Sequence, residues 1–505
     1  MGFLPEIEGY TLGIGILLFF VTYRYVSAYQ AWVKLAGIPT LGHDGVFLSY
    51  ITAWRAVTDP LKLVEEGCRK YPGGAFKIPT LSGWQVVVNG PQMINDMRRA
   101  TDEELSFVQA AGHQLQVDYT MSPNTHINPH HINVVRTPLT RNIGARFDDI
   151  VDETFAAFAD YIPLKDDWVE MPVTRTIQEM VVRITNRFFV GLPLCRDPDW
   201  CDLNIQFTIN VAVNSILIRL FPEFLHPFER MRRALRHIGA TIEHRLEMDR
   251  QRGADWQDRP NDAISWAIDM VNDIGEEWQK GSAEDICLRI LAINFAAIHT
   301  TSMAFTHALC HLAANQQALK PLRQEVETVI KKEGWSKTAM VQLRLLDSFL
   351  RESQRHWGAA QLSVIRETLQ DFRFSDGTVV PAGTKVAAAG YYTRHDEGTY
   401  PAPDDFVPSR FAEMRDRAGE GLKHQMVTPT LDWVLFGTGK HACPGRFFAV
   451  AELKAMFAHL LLNYDVKFKD DAGFPPSMIF GTNITPNQSA KVMFRKRRDE
   501  AGHQF

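Results

Sequence analysis

Cysteine is scarce in this chain, with six in 505 residues at positions 68, 195, 201, 287, 310 and 443 and no CxxC pair among them. That excludes a secreted disulfide scaffold and leaves most of these thiols as small buried apolar residues in a reducing compartment. An excess of one charge is also missing. Lys and Arg number 54 against 59 Asp and Glu, a net charge of −5, so no polyanion partner is indicated and nucleic acid is set aside. No fixed-period repeat, low-complexity tract or Gly/Ser-rich linker divides the chain, and residues 37–505 are expected to form one domain. The apolar run at the N-terminus, Tyr10 to Tyr23, falls short of the roughly 20 residues of a full membrane span, although Tyr25, Tyr29 and Trp32 extend it with interfacial aromatics. Residues 1–36 are read as a single-pass anchor and linker, with Arg24 and Lys34 keeping the rest of the chain on the cytosolic side. A cleaved signal peptide is the alternative, opposed by the early acids Glu6 and Glu8.

What the chain does have is a large apolar fraction, 45% hydrophobic and 11% aromatic, enough for a sizeable core. Helical patterns dominate. The segment from Ala283 to Lys320 contains neither Gly nor Pro and carries Ile286, Ile290, Ile293, Ala297 and Thr301 at helical spacing, which predicts one long core helix. Shorter β-like runs fall at Gly83–Val88, Thr378–Val386 and Ala490–Phe494. The fold class is therefore mostly α with small β-sheets, an α+β arrangement.

The most informative stretch runs from Phe436 to Arg446, Phe-Gly-Thr-Gly-Lys-His-Ala-Cys-Pro-Gly-Arg. Glycines punctuate a loop that delivers Cys443 to the start of a helix, with Pro444 suited to the first helical position and Phe447, Phe448, Val450 and Leu453 continuing at helical spacing. A cysteine so placed has its thiolate favoured by the helix N-terminus and by loop N–H groups, as a haem-thiolate site requires. Alone, Cys443 would pass for a buried core thiol. A phosphate loop is rejected, because Lys440 is followed by His441 rather than Ser or Thr.

These residues resemble the cytochrome P450 superfamily, whose haem loop reads Phe-x-x-Gly-x-Arg/His-x-Cys-x-Gly. Glu352-Ser-Gln-Arg355 is similar to the family's Glu-x-x-Arg, and Pro408-Ser-Arg410-Phe411 to its Pro-x-Arg-Phe element. Ala296-Ala-Ile-His-Thr300-Thr301 looks like its oxygen-activation segment. The resemblance covers almost the whole chain. It implies the P450 fold, haem with Cys443 as the axial thiolate on iron, and a buried charge network of Glu352, Arg355 and Arg410. It implies haem-propionate contacts from His441, Arg366 and Arg136. Thr300 is the candidate for steadying proton delivery during oxygen activation. His299 stands where the family usually has an acid, and either relays protons or only hydrogen-bonds within the core. His126, His130 and His131 invite a metal-site reading, but no cysteine or carboxylate completes it.

The implied activity is oxygen-dependent oxidation of a hydrophobic small molecule, fed by a separate NADPH-cytochrome P450 reductase, at the endoplasmic reticulum membrane with the catalytic domain cytosolic. Asn294–Thr301 and Phe188–Pro193 look most like fungal secondary-metabolism members, terpenoid oxidases included. Two other readings stay open on the residues: a haem-thiolate isomerase or dehydratase that needs no reductase, and a non-catalytic membrane haem protein.

Overall fold

The computed structural model describes residues 25–220, 229–469 and 472–498, together with Leu18 and Thr22. The Tyr10–Tyr23 run lies almost wholly outside the described residues. The chain divides into two compact units: one holds the described residues up to Ala110 with Gln361–Thr393 and Ile479–Thr482, the other Ala111–Ala360, Arg394–Met478 and the residues from Asn483.

The smaller unit opens with helical residues 25–34 and continues through α1 (Ser49–Thr58), α2 (Pro60–Lys70) and strands β1 (Ala75–Thr80), β2 (Gly83–Val88) and β3 (Leu105–Ser106). Strands β4 (Ser363–Thr368) and β5 (Lys385–Ala388) arrive much later in the chain and complete a five-stranded sheet of order β1-β2-β5-β4-β3. All neighbours are antiparallel except β2 and β5, which pair in parallel from Gln85 opposite Lys385 to Val88 opposite Ala388. The run expected at Thr378–Val386 is in fact two pieces, a two-residue strand at Val379–Val380 and β5, because the turn at Pro381–Gly383 falls between them. Leu63, Val64 and Cys68 of α2 pack on Phe76, Val87 and Ala387 of the sheet. Gly67 makes that approach possible, since a Cβ there would lie 2.2 Å from the Phe76 ring. Along α1 the outer face stays apolar, with Tyr50, Ile51 and Trp54 exposed beside Phe47 and Leu48.

The larger unit is helical, with α3 (Phe147–Tyr161), α4 (Val173–Phe189), α5 (Pro198–Leu220), α6 (Glu229–Arg252), α7 (Ala263–Ile274), α8 (Ala283–Ala314), α9 (Arg344–His356) and α10 (Arg446–Asn463). A three-stranded antiparallel sheet of Val169–Pro172, Lys491–Lys496 and Tyr464–Lys467 lies at its edge. Helix α8 is the axis, packed by α4, α5, α6, α7, α9 and α10. Ser282 starts it by accepting from the Asp285 N–H, with Glu284 and Asp285 in the first turn to suit the dipole. By length and hydropathy α8 would pass for a membrane span, but most of it is enclosed by protein as a core helix.

The helix expected to reach Lys320 instead ends at Ala314. Asn315 turns its amide to the His311 carbonyl (2.8 Å), a short 3₁₀ turn follows at Gln316–Ala318, and a new helix begins at Leu319. Gln316 donates to the Val466 carbonyl (2.8 Å), a contact from a distant strand that no local pattern announces.

Candidate functional site

Local backbone chemistry shapes the cysteine loop. Gly437 and Gly439 both have positive φ, +70° and +64°, and a Cβ on Gly437 would press within 3.1 Å of the His441 carbonyl oxygen. The Gly437 N–H donates to the Val434 carbonyl (3.0 Å), and the Cys443 N–H closes the loop on the Phe436 carbonyl (2.7 Å). A 3₁₀ turn occupies Gly439–His441, and α10 starts at Arg446 with Gly445 as its N-cap, so Pro444 stands two residues before the helix rather than at its first position. Burial pushes the Cys443 thiol up from its ordinary pKa, while the N–H groups of Gly445 and Arg446 and the Arg446 charge pull it back down. The sulfur is a free thiol with two backbone donors aimed at it.

Arg446 is fixed against the loop by donating to the Cys443 carbonyl (2.7 Å) and the Val427 carbonyl (3.0 Å). Together with Arg136, Thr140, Lys440 and Phe447 it lines a cleft of about 230 Å³ beside the cysteine loop. Arg136 is exposed and sits in a π-helical turn, Val135–Leu139, that contains Pro138. Pro138 has no N–H to give, and Thr140 donates its hydroxyl to the Val135 carbonyl (2.8 Å), satisfying an acceptor in the widened turn. No local pattern announces Arg446, Lys440 or Thr140 as neighbours of Arg136. Arg446 carried a usable signal, since three residues after the cysteine on a new helix is one turn away.

The larger unit also holds the charge network. Arg355 donates to both oxygens of Glu352 (2.8 and 3.0 Å), and Arg410 Nε and the Val407 N–H donate to Glu352 Oε1 (3.0 Å each). Glu352 and Arg355 are both 0% exposed. Burial would raise the Glu352 carboxyl, yet hydrogen bonds from His356 and Arg355 hold it down at about 2. The resemblance anticipated these three residues as one network, and they form one.

On α8, Ala296 and Thr300 are exposed although most of the helix around them is buried. They stand four residues apart on one exposed face of the helix. Thr300 Oγ1 donates to the Ala296 carbonyl (2.8 Å), with the Ala297 carbonyl at 3.3 Å. His299 points elsewhere: Gln178 Nε2 of α4 meets its Nδ1 at 3.0 Å, and its Nε2 lies 3.2 Å from the Ile205 carbonyl of α5. His441 is half-buried in the 3₁₀ turn. Arg366 belongs to the other unit, on β4. It is 3% exposed, donates to the Ile365 carbonyl (2.7 Å) and lies over the Phe107 ring; burial lowers its pKa to about 10 against the pull of Asp102. No carboxylate among the described residues pairs with it within 4 Å. Of His126, His130 and His131, His130 bonds Gln279 (3.1 Å), which also takes the amide of Asn128 (3.2 Å), and His126 Nδ1 lies 3.5 Å from Asp118; no cluster able to hold a metal is found among the described residues.

The family model of cytochrome P450 matches residues 45–494. The chain belongs to the cytochrome P450 family. It is 41% identical to cytochrome P450 monooxygenase 151 of Postia placenta over 92% of this chain and 94% of that protein. It is 34% identical to cytochrome P450 monooxygenase CYP512U6 of Ganoderma lucidum over 91% and 92%. With cytochrome P450 monooxygenase atmQ of Aspergillus flavus the identity is 30% over 94% and 90%. The protein is thus a haem-thiolate P450 and an oxidoreductase that incorporates oxygen. Its residues fit that cofactor. Cys443 offers one soft sulfur ligand with backbone donors to spread its charge.

Proposed function

We propose that this P450 hydroxylates or otherwise oxidises a hydrophobic small molecule of the terpenoid class, drawing electrons from NADPH-cytochrome P450 reductase at the endoplasmic reticulum membrane. The observation that carries the reading is the face of α8 where Ala296 and the Thr300 hydroxyl are exposed in an otherwise mostly buried helix. Haem, when bound, supplies the oxygen chemistry, tuned by its thiolate. Cys443 would hold the iron, and the N–H donors of Gly445 and Arg446 would moderate the charge on its sulfur. Arg366, Arg136 and His441 are the groups for the propionates.

The Thr300 hydroxyl gives its proton to the Ala296 carbonyl, which orients the rotor and leaves the oxygen's lone pairs to accept a hydrogen bond from a donor on the exposed side. Phe295, Ala297 and Met303, each partly exposed, make the adjoining surface apolar, which suits a substrate without charge. Membrane attachment is supported by Tyr25, Tyr29, Phe47, Leu48, Ile51 and Trp54, exposed within one stretch of the smaller unit. The terpenoid assignment rests on the likeness of Asn294–Thr301 and Phe188–Pro193 to fungal secondary-metabolism oxidases.

The test is incubation of the full-length protein in membranes with reductase, NADPH, O2 and a terpenoid-rich metabolite extract, read by mass spectrometry. Products heavier by one oxygen that need both NADPH and O2 support the reading. Conversion that proceeds without NADPH favours the isomerase or dehydratase alternative. With a converted substrate in hand, Thr300→Ala is expected to retain haem but to divert reducing equivalents to peroxide, with product formation falling by about a hundredfold, the low end of general acid–base contributions.

A further inference from the structure

We infer that His299 is a positioning residue, a strut that fastens the Thr300 turn of α8 to α4 and α5, and that it is not the proton donor of that turn. The inference rests on the monooxygenase reading above and refines which residues of α8 do what.

Both ring nitrogens of His299 are already engaged. Nε2 lies 3.2 Å from the carbonyl of Ile205, an acceptor only, so Nε2 carries the proton in this network; Nδ1 is then the acceptor for the amide of Gln178 at 3.0 Å. Burial also works against a second proton on the ring. A neutral imidazole with one donor and one acceptor meets both partners. A carboxylate at this position would face the Ile205 carbonyl oxygen with its own negative charge and leave it without a donor, which gives a physical reason for histidine here.

The strut is not isolated. Ile298 packs with Val182 of α4 and Ile205 of α5. One turn earlier, Asn294 Oδ1 accepts from Asn186 of α4 (3.0 Å), and Asn186 in turn accepts from the indole N–H of Trp200 of α5 (2.9 Å). Residues 294, 298 and 299 therefore form the fastened side of α8, while 296 and 300 form the open side. Thr300 follows His299 directly, so a shift of the fastened side moves the hydroxyl on the exposed side.

Four variants of the haem-loaded full-length protein test this: Gln178→Ala, His299→Ala, the double variant, and His299→Gln. The glutamine can accept from Gln178 and donate to Ile205 but cannot titrate. Two readouts need no identified substrate: deuterium uptake at the backbone amides of 294–303, and the solvent isotope effect on NADPH consumption with reductase. A strut predicts that Gln178→Ala and His299→Ala each speed exchange of 294–303 about fivefold, the factor carried by one net hydrogen bond, with the double variant no worse than His299→Ala alone. His299→Gln should keep wild-type exchange and isotope effect. Altered isotope effect in His299→Gln with unchanged exchange in Gln178→Ala overturns the inference in favour of a relay. Unchanged exchange in all four variants overturns it too, because nothing is then being fastened. A wild-type protein that consumes no NADPH with reductase would count against the monooxygenase reading, while the exchange result would still judge the strut.

Discussion

Burial raises the pKa of the Cys443 thiol, and the N–H groups of Gly445 and Arg446 work against that rise by favouring the thiolate. Cys443→Ala removes the only thiol in the loop, so the reduced carbon monoxide complex of any residual haem should lack the thiolate-type absorption. A full thiolate spectrum in that variant would place the ligand elsewhere. Glu452 is a second buried group with an unusual state. Its Oε1 accepts from the Thr185 hydroxyl (2.8 Å), its Oε2 has no partner, and burial pushes its pKa up to about 8. In the unfolded chain the same group titrates near 4.3, so between about pH 4.3 and 8 the folded form binds the extra proton and stability falls as pH rises. The swing is on the order of a few kcal/mol. Glu452→Gln should flatten this dependence, read as a smaller difference in melting temperature between pH 5 and pH 8 than in the wild type. An unchanged difference would mean that Glu452 is ionised in the fold.

At the scale of elements, the cysteine loop and the charge network were legible because the chemistry lies within a few residues. Gly437 and Gly439 must adopt positive φ, and Glu352 and Arg355 sit one turn apart on α9. Other features depend on residues far away. The end of α8 at Asn315 answers to Val466, and the hydrogen bonds of His299 come from positions 94 and 121 residues earlier, so no local pattern could announce either. The π-turn at Val135–Leu139 is intermediate: Pro138 was visible, but that the helix would widen rather than stop depended on Thr140 reaching back to Val135. For α9, removal of one partner strands a buried charge. Arg355→Met should cost about 3–5 kcal/mol and lower haem retention, checked by denaturant titration followed at the haem band. A loss below 1 kcal/mol would show the network to be dispensable.

For the whole molecule, the chain was expected to be an anchor followed by one domain, and the described residues group into two compact units. The smaller unit is assembled from segments far apart in sequence, Gln361–Thr393 and Ile479–Thr482 joining the described residues up to Ala110. Removal of residues 1–36 should release much of the protein from membranes while haem binding persists, measured by sedimentation and the haem spectrum. Residual attachment is expected from the exposed Phe47, Leu48, Ile51 and Trp54. Loss of all haem would show instead that the segment belongs to the folded core.

The five-stranded sheet has a consequence in time. Its second strand, β2, ends at Val88, and the parallel partner β5 begins at Lys385, about 300 residues later. At roughly 5–20 residues per second, a ribosome needs about 15–60 s to supply that partner. Throughout that interval the β1–β2 hairpin has one unpaired edge, rich in valine, while the long helical stretch between is still emerging. The newborn chain is therefore most vulnerable to wrong strand pairing at its beginning, and the remedy is encoded near its end.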